Sequence, residues 1–393
     1  MTHSATVLPR LFRLRRRALL VGVIGAGLCG LGYFLHPTQF FRSYLMAYIF
    51  WLDIGLGCLA ILMLHHLVGG LWGMAIRRVL EAATRLLPLM AVLYVPLLFG
   101  LAELYPWAHA ADTATQTGHF RSLYLQGPFF LGRTGFYFVV WLLLAFFLNR
   151  WSRQQEQADD ALVVRARRRR LGLLSGGGLV LYGLTVTFAA IDWMMSLEHH
   201  WFSSIYGFLV ISGQLVAAMT FAILVTAWLG QDEPVSAVTS PALLQDLGNL
   251  LLAFVLLWAY IAFSQLLIIW AGDLPEEIHW YQHRWSGGWQ WLQVGLLVLH
   301  FGVPFLVLLS RRAKRRAQYL GSVAAVVLAF HLVDVFWLLM PAFFPARLHI
   351  HWLDIVAPVG LGGLWLAMFL WQLPRRSLLP WQALHLQEVG PHG

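Results

Sequence analysis

Ten runs of predominantly apolar residues, each near the roughly 20 residues that a helix needs to cross a bilayer core, recur along this chain of 393 residues. They fall at about 18–36, 44–67, 86–104, 128–149, 171–193, 202–229, 247–270, 288–310, 318–343 and 354–373. Few other folds accommodate such a pattern. Hydrophobic residues make up 59% of the chain and charged ones 11%, too few charges to clothe a water-soluble domain of this length. The reading is an all-α membrane protein, one polytopic domain over residues 1–393.

The formal charge of +9 does not point to nucleic acid, because its Lys and Arg residues gather in the connections. Alternate connections hold 22 of the 27: Arg10 to Arg17, Arg77, Arg78 and Arg85, Arg150 to Arg170, Arg311 to Arg316, and Arg375 with Arg376. The positive-inside rule then places both termini in the cytoplasm. The connection 231–246 lacks a positive charge and is the weak point of that assignment. Met1–Arg17 is basic and precedes an apolar run, but no small-x-small cleavage site stands out, so the first span is expected to stay uncleaved. The segment 150–170, rich in Arg with Glu156, Asp159 and Asp160, reads as a solvated loop between an earlier and a later group of spans. Outer connections carry Pro106, Trp107 and His109, then Trp280, Tyr281, His283 and Trp285, read as an interfacial aromatic belt or as a docking surface.

Soluble cofactor chemistry is not written here. Residues 25–30 match GxGxxG, but no strand precedes them and the match lies within an apolar span. Gly22, Ala26 and Gly30 instead read as a small-residue packing face. Cys29 and Cys58 sit inside spans without metal spacing and read as packing residues.

Ionisable groups inside spans carry the chemical signal, since a charge in hydrocarbon costs at least about 2.5–3.5 kcal/mol and needs a partner or a wet cavity. The candidates are Asp53, His65 and His66 in the second span, Glu103 ending the third, Arg133 in the fourth, Asp192 ending the fifth, His300 in the eighth, and His331 with Asp334 in the ninth. Three residues apart, His331 and Asp334 share a helix face. At 1.5 Å per residue the set spreads through the membrane as a ladder. His65 and His66 lie lowest, His300 and His331 midway, Asp334 and Asp53 further out. Asp192, Glu198 and His199 stand at the outer mouth. Such groups exchange protons when burial moves their pKa values toward neutrality. The plainer reading is that they pair and hold helices together. His300 and His331 also suit bis-His ligation of a b-type haem by depth, with nothing else in support. Tyr260, Ser264 and Gln265 add hydroxyl and amide groups that extend a water wire or bond between helices.

The stretch Phe188–Gly207, FAAIDWMMSLEHHWFSSIYG, resembles the signature of the ActF membrane subunits of bacterial alternative complex III, of the NrfD/PsrC type. So do FWLDIGLGCL at 50–59 with LHHL at 64–67, YLQGPFF at 124–130 with Arg133, and DLGNL at 246–250 running through WAYIAFSQ at 258–265 to LPEE at 274–277. The likeness covers about residues 40–300. It implies two four-helix bundles, 44–193 and 202–343, with residues 18–36 and 354–373 as peripheral spans. It implies a bacterial cytoplasmic membrane and a complex that oxidises quinol. The partners would be a paralogous quinol-oxidising membrane subunit, an iron–sulfur subunit, c-type cytochrome subunits and a terminal oxidase. The chain itself would carry no metal or redox centre, and protons would cross through its bundles. Two other readings stand beside this one. The chain could bind and oxidise quinol itself, with Asp192, Glu198, His199 and Arg133 at the outer mouth supplying the proton acceptor. It could also be a secondary transporter, although spans broken by Gly or Pro at matched depths are not evident.

Overall fold

In the computed structural model, residues 7–108, 124–157, 160–198, 201–230 and 239–375 are described. Among them are ten helices long and apolar enough to cross a membrane. Spans one to five are Pro9–Leu35, Pro37–Val68, Leu71–Phe99, Gly127–Glu156 and Leu162–Leu197. Spans six to ten are Tyr206–Leu229, Pro241–Gly272, Trp289–Leu309, Ala317–Ala342 and Leu353–Arg375. The protein is an all-α, multi-pass membrane protein in contact with lipid.

Local chemistry sets the helix ends. Proline opens spans two, four and seven, where its missing N–H costs nothing. Ser240 caps span seven by accepting from the Leu243 N–H. Gly69 (φ 75°) and Gly70 (φ 100°) turn the chain between spans two and three, a left-handed pair that residues with a Cβ rarely adopt. Asp273 takes the same region (φ 44°) to end span seven before Pro275.

Spans two to five close into a ring, two against three, three against four, four against five and five against two. Spans six to nine close in the same order. The two four-helix bundles meet where span two packs on spans six and nine and span five packs on span six. Spans one and ten pack on each other and lie against span two. Span two is therefore covered on all sides: 94% of its most apolar stretch is buried, against 22% for span one.

Four expectations change. Span three begins at Leu71, not near residue 86, and bends at Arg85–Leu86 before Pro88, so Arg77, Arg78 and Arg85 belong to a span. Residues 150–170 are largely helical, since one helix runs on to Glu156 and the next starts at Ala161. The packing face of span one uses Gly22 and Gly25 against Gly363 and Gly360, with Cys29 buried, while Ala26 is exposed. Trp280 and Tyr281 are buried inside the bundle end instead of lying in an aromatic belt. His109 lies outside the described residues.

Candidate functional site in the seam between bundles

Polar side chains inside the spans sort into three assemblies. The central one lies where the bundles meet. Asp53 of span two, 3% exposed, accepts at Oδ1 from Gln214 Nε2 of span six at 2.9 Å. Its Oδ2 lies 3.2 Å from His331 Nε2 of span nine. The Tyr182 hydroxyl of span five donates to Gln214 Oε1 at 2.5 Å. One carboxylate thus draws on four spans and both bundles. Close backbone approach makes this geometry available: Gly57 lies against the backbone of Gln214, and Gly213 leaves room for the His331 ring.

The cluster continues into the second bundle. The His331 and His300 rings stack at 6.2 Å, and Trp258 meets His300 edge-on at 4.4 Å. Trp258 Nε1 donates to Asp334 Oδ2 at 3.1 Å. His300 stands in a wide π-helical turn, Leu296–Gly302. Such turns recur at functional sites because they re-aim a side chain without ending the helix. His331 Nδ1 and both His300 nitrogens make no hydrogen bond of ordinary geometry. Ligand atoms of His300, His331 and Asp334 lie within 4.8 Å of one another. One His or carboxylate atom from each of three side chains is a donor set that a first-row metal ion accepts.

The second assembly closes the ends of the bundles away from the Arg-rich face. Arg133 grips Asp192 through Nε and Nη2, both at 2.9 Å, and Tyr137 donates to the same carboxylate at 2.7 Å. Asp192 is fully buried, and the Arg133 guanidinium stacks 3.7 Å from the Tyr124 ring. In the other bundle the fully buried Arg284 pairs with Glu198 at 2.9 Å and donates to the Trp280 and Leu338 carbonyls. Burial pushes the Arg284 guanidinium below its usual pKa, and Glu198 beside it pulls back the other way. These are paired charges, each guanidinium bonded to a carboxylate and to a backbone carbonyl, the arrangement of a structural clamp, although the Arg284 Nε–H is left without a partner. His199 lies outside the described residues. Glu103 accepts from Thr38 at 2.6 Å in an exposed setting.

The third assembly lies at the Arg-rich end of the first bundle. Glu81, 1% exposed, pairs with Arg77 and Arg78, each at 3.0 Å, and accepts from Ser152. His65 and His66 lie near it, His65 edge-on to Trp72. From Asp53 to His65 the helix rises roughly 18 Å through an apolar stretch, Ile54 to Leu64. The ladder is therefore a tight central cluster and two separate end assemblies.

The structure brings Asp53, His300, His331 and Asp334 together and leaves His65, His66, Asp192, Arg133 and Glu198 apart from them. Gln265 is buried and accepts from Ser203 at 2.6 Å, whereas Tyr260 is 66% exposed on the bundle's outer surface and Ser264 is half-buried. Gln214, Tyr182 and Glu81 escape sequence reasoning. Gln214 and Tyr182 carry no formal charge, and Glu81 falls in a stretch read as a connection. Polar groups of any kind inside apolar runs would have found the first two. No protein-family model matches this chain, and no curated protein matches it either.

Proposed function

We propose that this chain is a membrane subunit of a quinol-oxidising respiratory electron-transfer complex of the alternative complex III type, with no redox centre of its own. Its role there is to carry protons through the seam between its bundles. The motifs at 188–207 and 50–67 motivate the assignment to such a complex. The observation that carries the proton role is the Asp53–His331 contact, fed by Gln214 and Tyr182 and continued by His300 and Asp334. A histidine beside a buried carboxylate is a pair in which a proton can reside on either partner. In this reading the Arg-rich face and both termini are cytoplasmic, in a bacterial inner membrane. The partners are a paralogous quinol-oxidising subunit, an iron–sulfur subunit and c-type cytochromes. Water entering the stretch between Asp53 and His65 completes the route toward the cytoplasm.

The test uses the intact complex reconstituted in vesicles. Asp53→Asn with His331→Gln keeps shape and hydrogen bonding but removes both titrating groups. Electron transfer from quinol should continue while the number of protons moved per electron falls. An unchanged ratio in an assembled, active complex would eliminate the proton role. Purification in mild detergent tests membership: co-elution with haem-bearing and iron–sulfur chains is expected, and elution alone would remove the assignment.

A further inference from the structure

The central cluster holds more coordinating chemistry than its hydrogen bonds use. His300 is 0% exposed and His331 2%. Three of their four ring nitrogens, both of His300 and Nδ1 of His331, make no hydrogen bond of ordinary geometry. Buried polar atoms left in this state are costly and call for an occupant. Asp334, 4% exposed, adds a carboxylate of which one oxygen, Oδ2, is held by Trp258. Ligand atoms of the three side chains lie within 4.8 Å of one another. His331 and Asp334 share one face of span nine, three residues apart. His300 comes from the wide turn Leu296–Gly302 of span eight, which packs on span nine.

The surroundings supply what a ligating imidazole needs. A metal-bound histidine gives its other ring N–H to a carboxylate or carbonyl, which fixes the tautomer and aims the ring. His331 has that partner: Nε2 lies 3.2 Å from Asp53 Oδ2, which leaves Nδ1 for an ion. Asp53 is held in turn by Gln214 Nε2, and Gln214 by the Tyr182 hydroxyl. Charge is balanced as well. Asp334 and Asp53, both ionised, offset the two charges of a divalent ion, which an apolar interior otherwise excludes. Imidazole nitrogen and carboxylate oxygen suit zinc, and two imidazoles with one carboxylate leave its fourth tetrahedral position to water. Asp334 also lines a cavity of about 660 Å³ that reaches Trp280 and Tyr281 of the short helix Pro275–Arg284. That cavity connects the site with the bundle end away from the Arg-rich face.

We propose that His300, His331 and Asp334 form a zinc site, with Asp53 as the carboxylate that positions His331. The ion ties the wide turn of span eight to span nine. Zinc has no redox chemistry, so the site adds no electron-transfer centre. The proposal goes beyond the proton reading and stands on these side chains alone. If His331 does relay protons, a bound ion takes its Nδ1 out of the relay, and zinc acts there as a block.

The experiment uses the full chain in nanodiscs, stripped with a chelator and dialysed against Zn²⁺, with bound metal counted by mass spectrometry. One tightly held zinc per chain is expected. Cobalt in its place should give the intense visible bands of a four-coordinate ion bound by nitrogen and oxygen. His300→Phe keeps a ring and removes both nitrogens, and Asp334→Asn keeps the shape. Each should lower zinc affinity by more than about tenfold, and Asp53→Asn by about 10–100-fold, the range for losing a carboxylate behind a ligating histidine. Zinc should raise the Tm of the parent chain and not that of His300→Phe. The three variants lie in three different spans, so the test stays decisive if one of them fails to fold. A parent chain that holds no zinc, or unchanged affinity in the folded variants, would overturn the proposal. So would loss of the ion from His36→Gln with His351→Gln, whose rings stand 5.3 Å apart elsewhere in the chain and offer a competing site. Bound zinc with unchanged protons per electron would leave this site standing and remove the relay through His331. A chain that moves protons through its seam yet holds no zinc would do the opposite.

Discussion

Arg133 and Asp192 show how much a single buried pair can matter. The carboxylate is fully enclosed and receives two bonds from the guanidinium and one from Tyr137. Removing the guanidinium leaves an uncompensated charge in a dry site, at a cost of about 3–5 kcal/mol. Arg133→Gln should therefore lower Tm in detergent sharply. Arg133→Leu with Asp192→Leu, which removes the charge altogether, should cost much less. Equal losses in the two variants would show that packing at this end, not charge, sets the stability. At this scale the sequence is half legible. Burial of ionisable groups follows from the apolar runs around them, and helical rise gives their depth. Which way each side chain faces is decided by packing. Asp53 meets His331 across 278 positions of chain because spans two and nine lie side by side. Arithmetic along either helix separately cannot supply that.

At the scale of elements, span number was readable because bilayer thickness fixes how long an apolar run must be. Extensions beyond the bilayer were not, because hydropathy is blind to them. Residues 160–170 are rich in Arg, a good helix former, and Asp160 caps the helix by accepting from the Leu162 N–H. Those propensities, not polarity, held the information. The pairing of spans one and ten rests on four glycines in backbone contact. A Cβ on Gly22 would fall 2.6 Å from the Leu364 nitrogen, so any larger residue at this face forces the helices apart. Gly25→Leu should release span one from span ten while the two bundles stay folded. Spin labels at the exposed Leu19 and Val359 should then report a longer, broader distance distribution. An unaltered distribution would mean that contacts elsewhere hold span one in place.

At the scale of the whole molecule, the two bundles are tied by groups shared across the seam. Gly57 allows span two to approach span six, and a Cβ there would lie 2.7 Å from the Ala218 Cβ and against the Gln214 carbonyl. Gly57→Leu should part the bundles, break the Gln214–Asp53 bond, and destabilise by at least the roughly 1–3 kcal/mol typical of overpacking. Gly55→Ala, whose new methyl would sit 3.4 Å from Leu87, is the matched control and should unfold at nearly the parent temperature. Similar losses in both would show that span two tolerates no added volume anywhere. The burial of span two also bears on how the molecule is made. Helices enter the membrane in chain order, and this one enters second. Its covers (spans five, six, nine and ten) are still unmade. Until span six is made Asp53 must face lipid or the insertion machinery, since neither hydrogen-bonding partner exists, and His331 follows only with span nine. A nascent chain halted before span six would therefore present a bare acidic group to quality control, and one halted before span nine an acidic group half satisfied by Gln214. Only completion of the last helices would hide that mark from the membrane proteases.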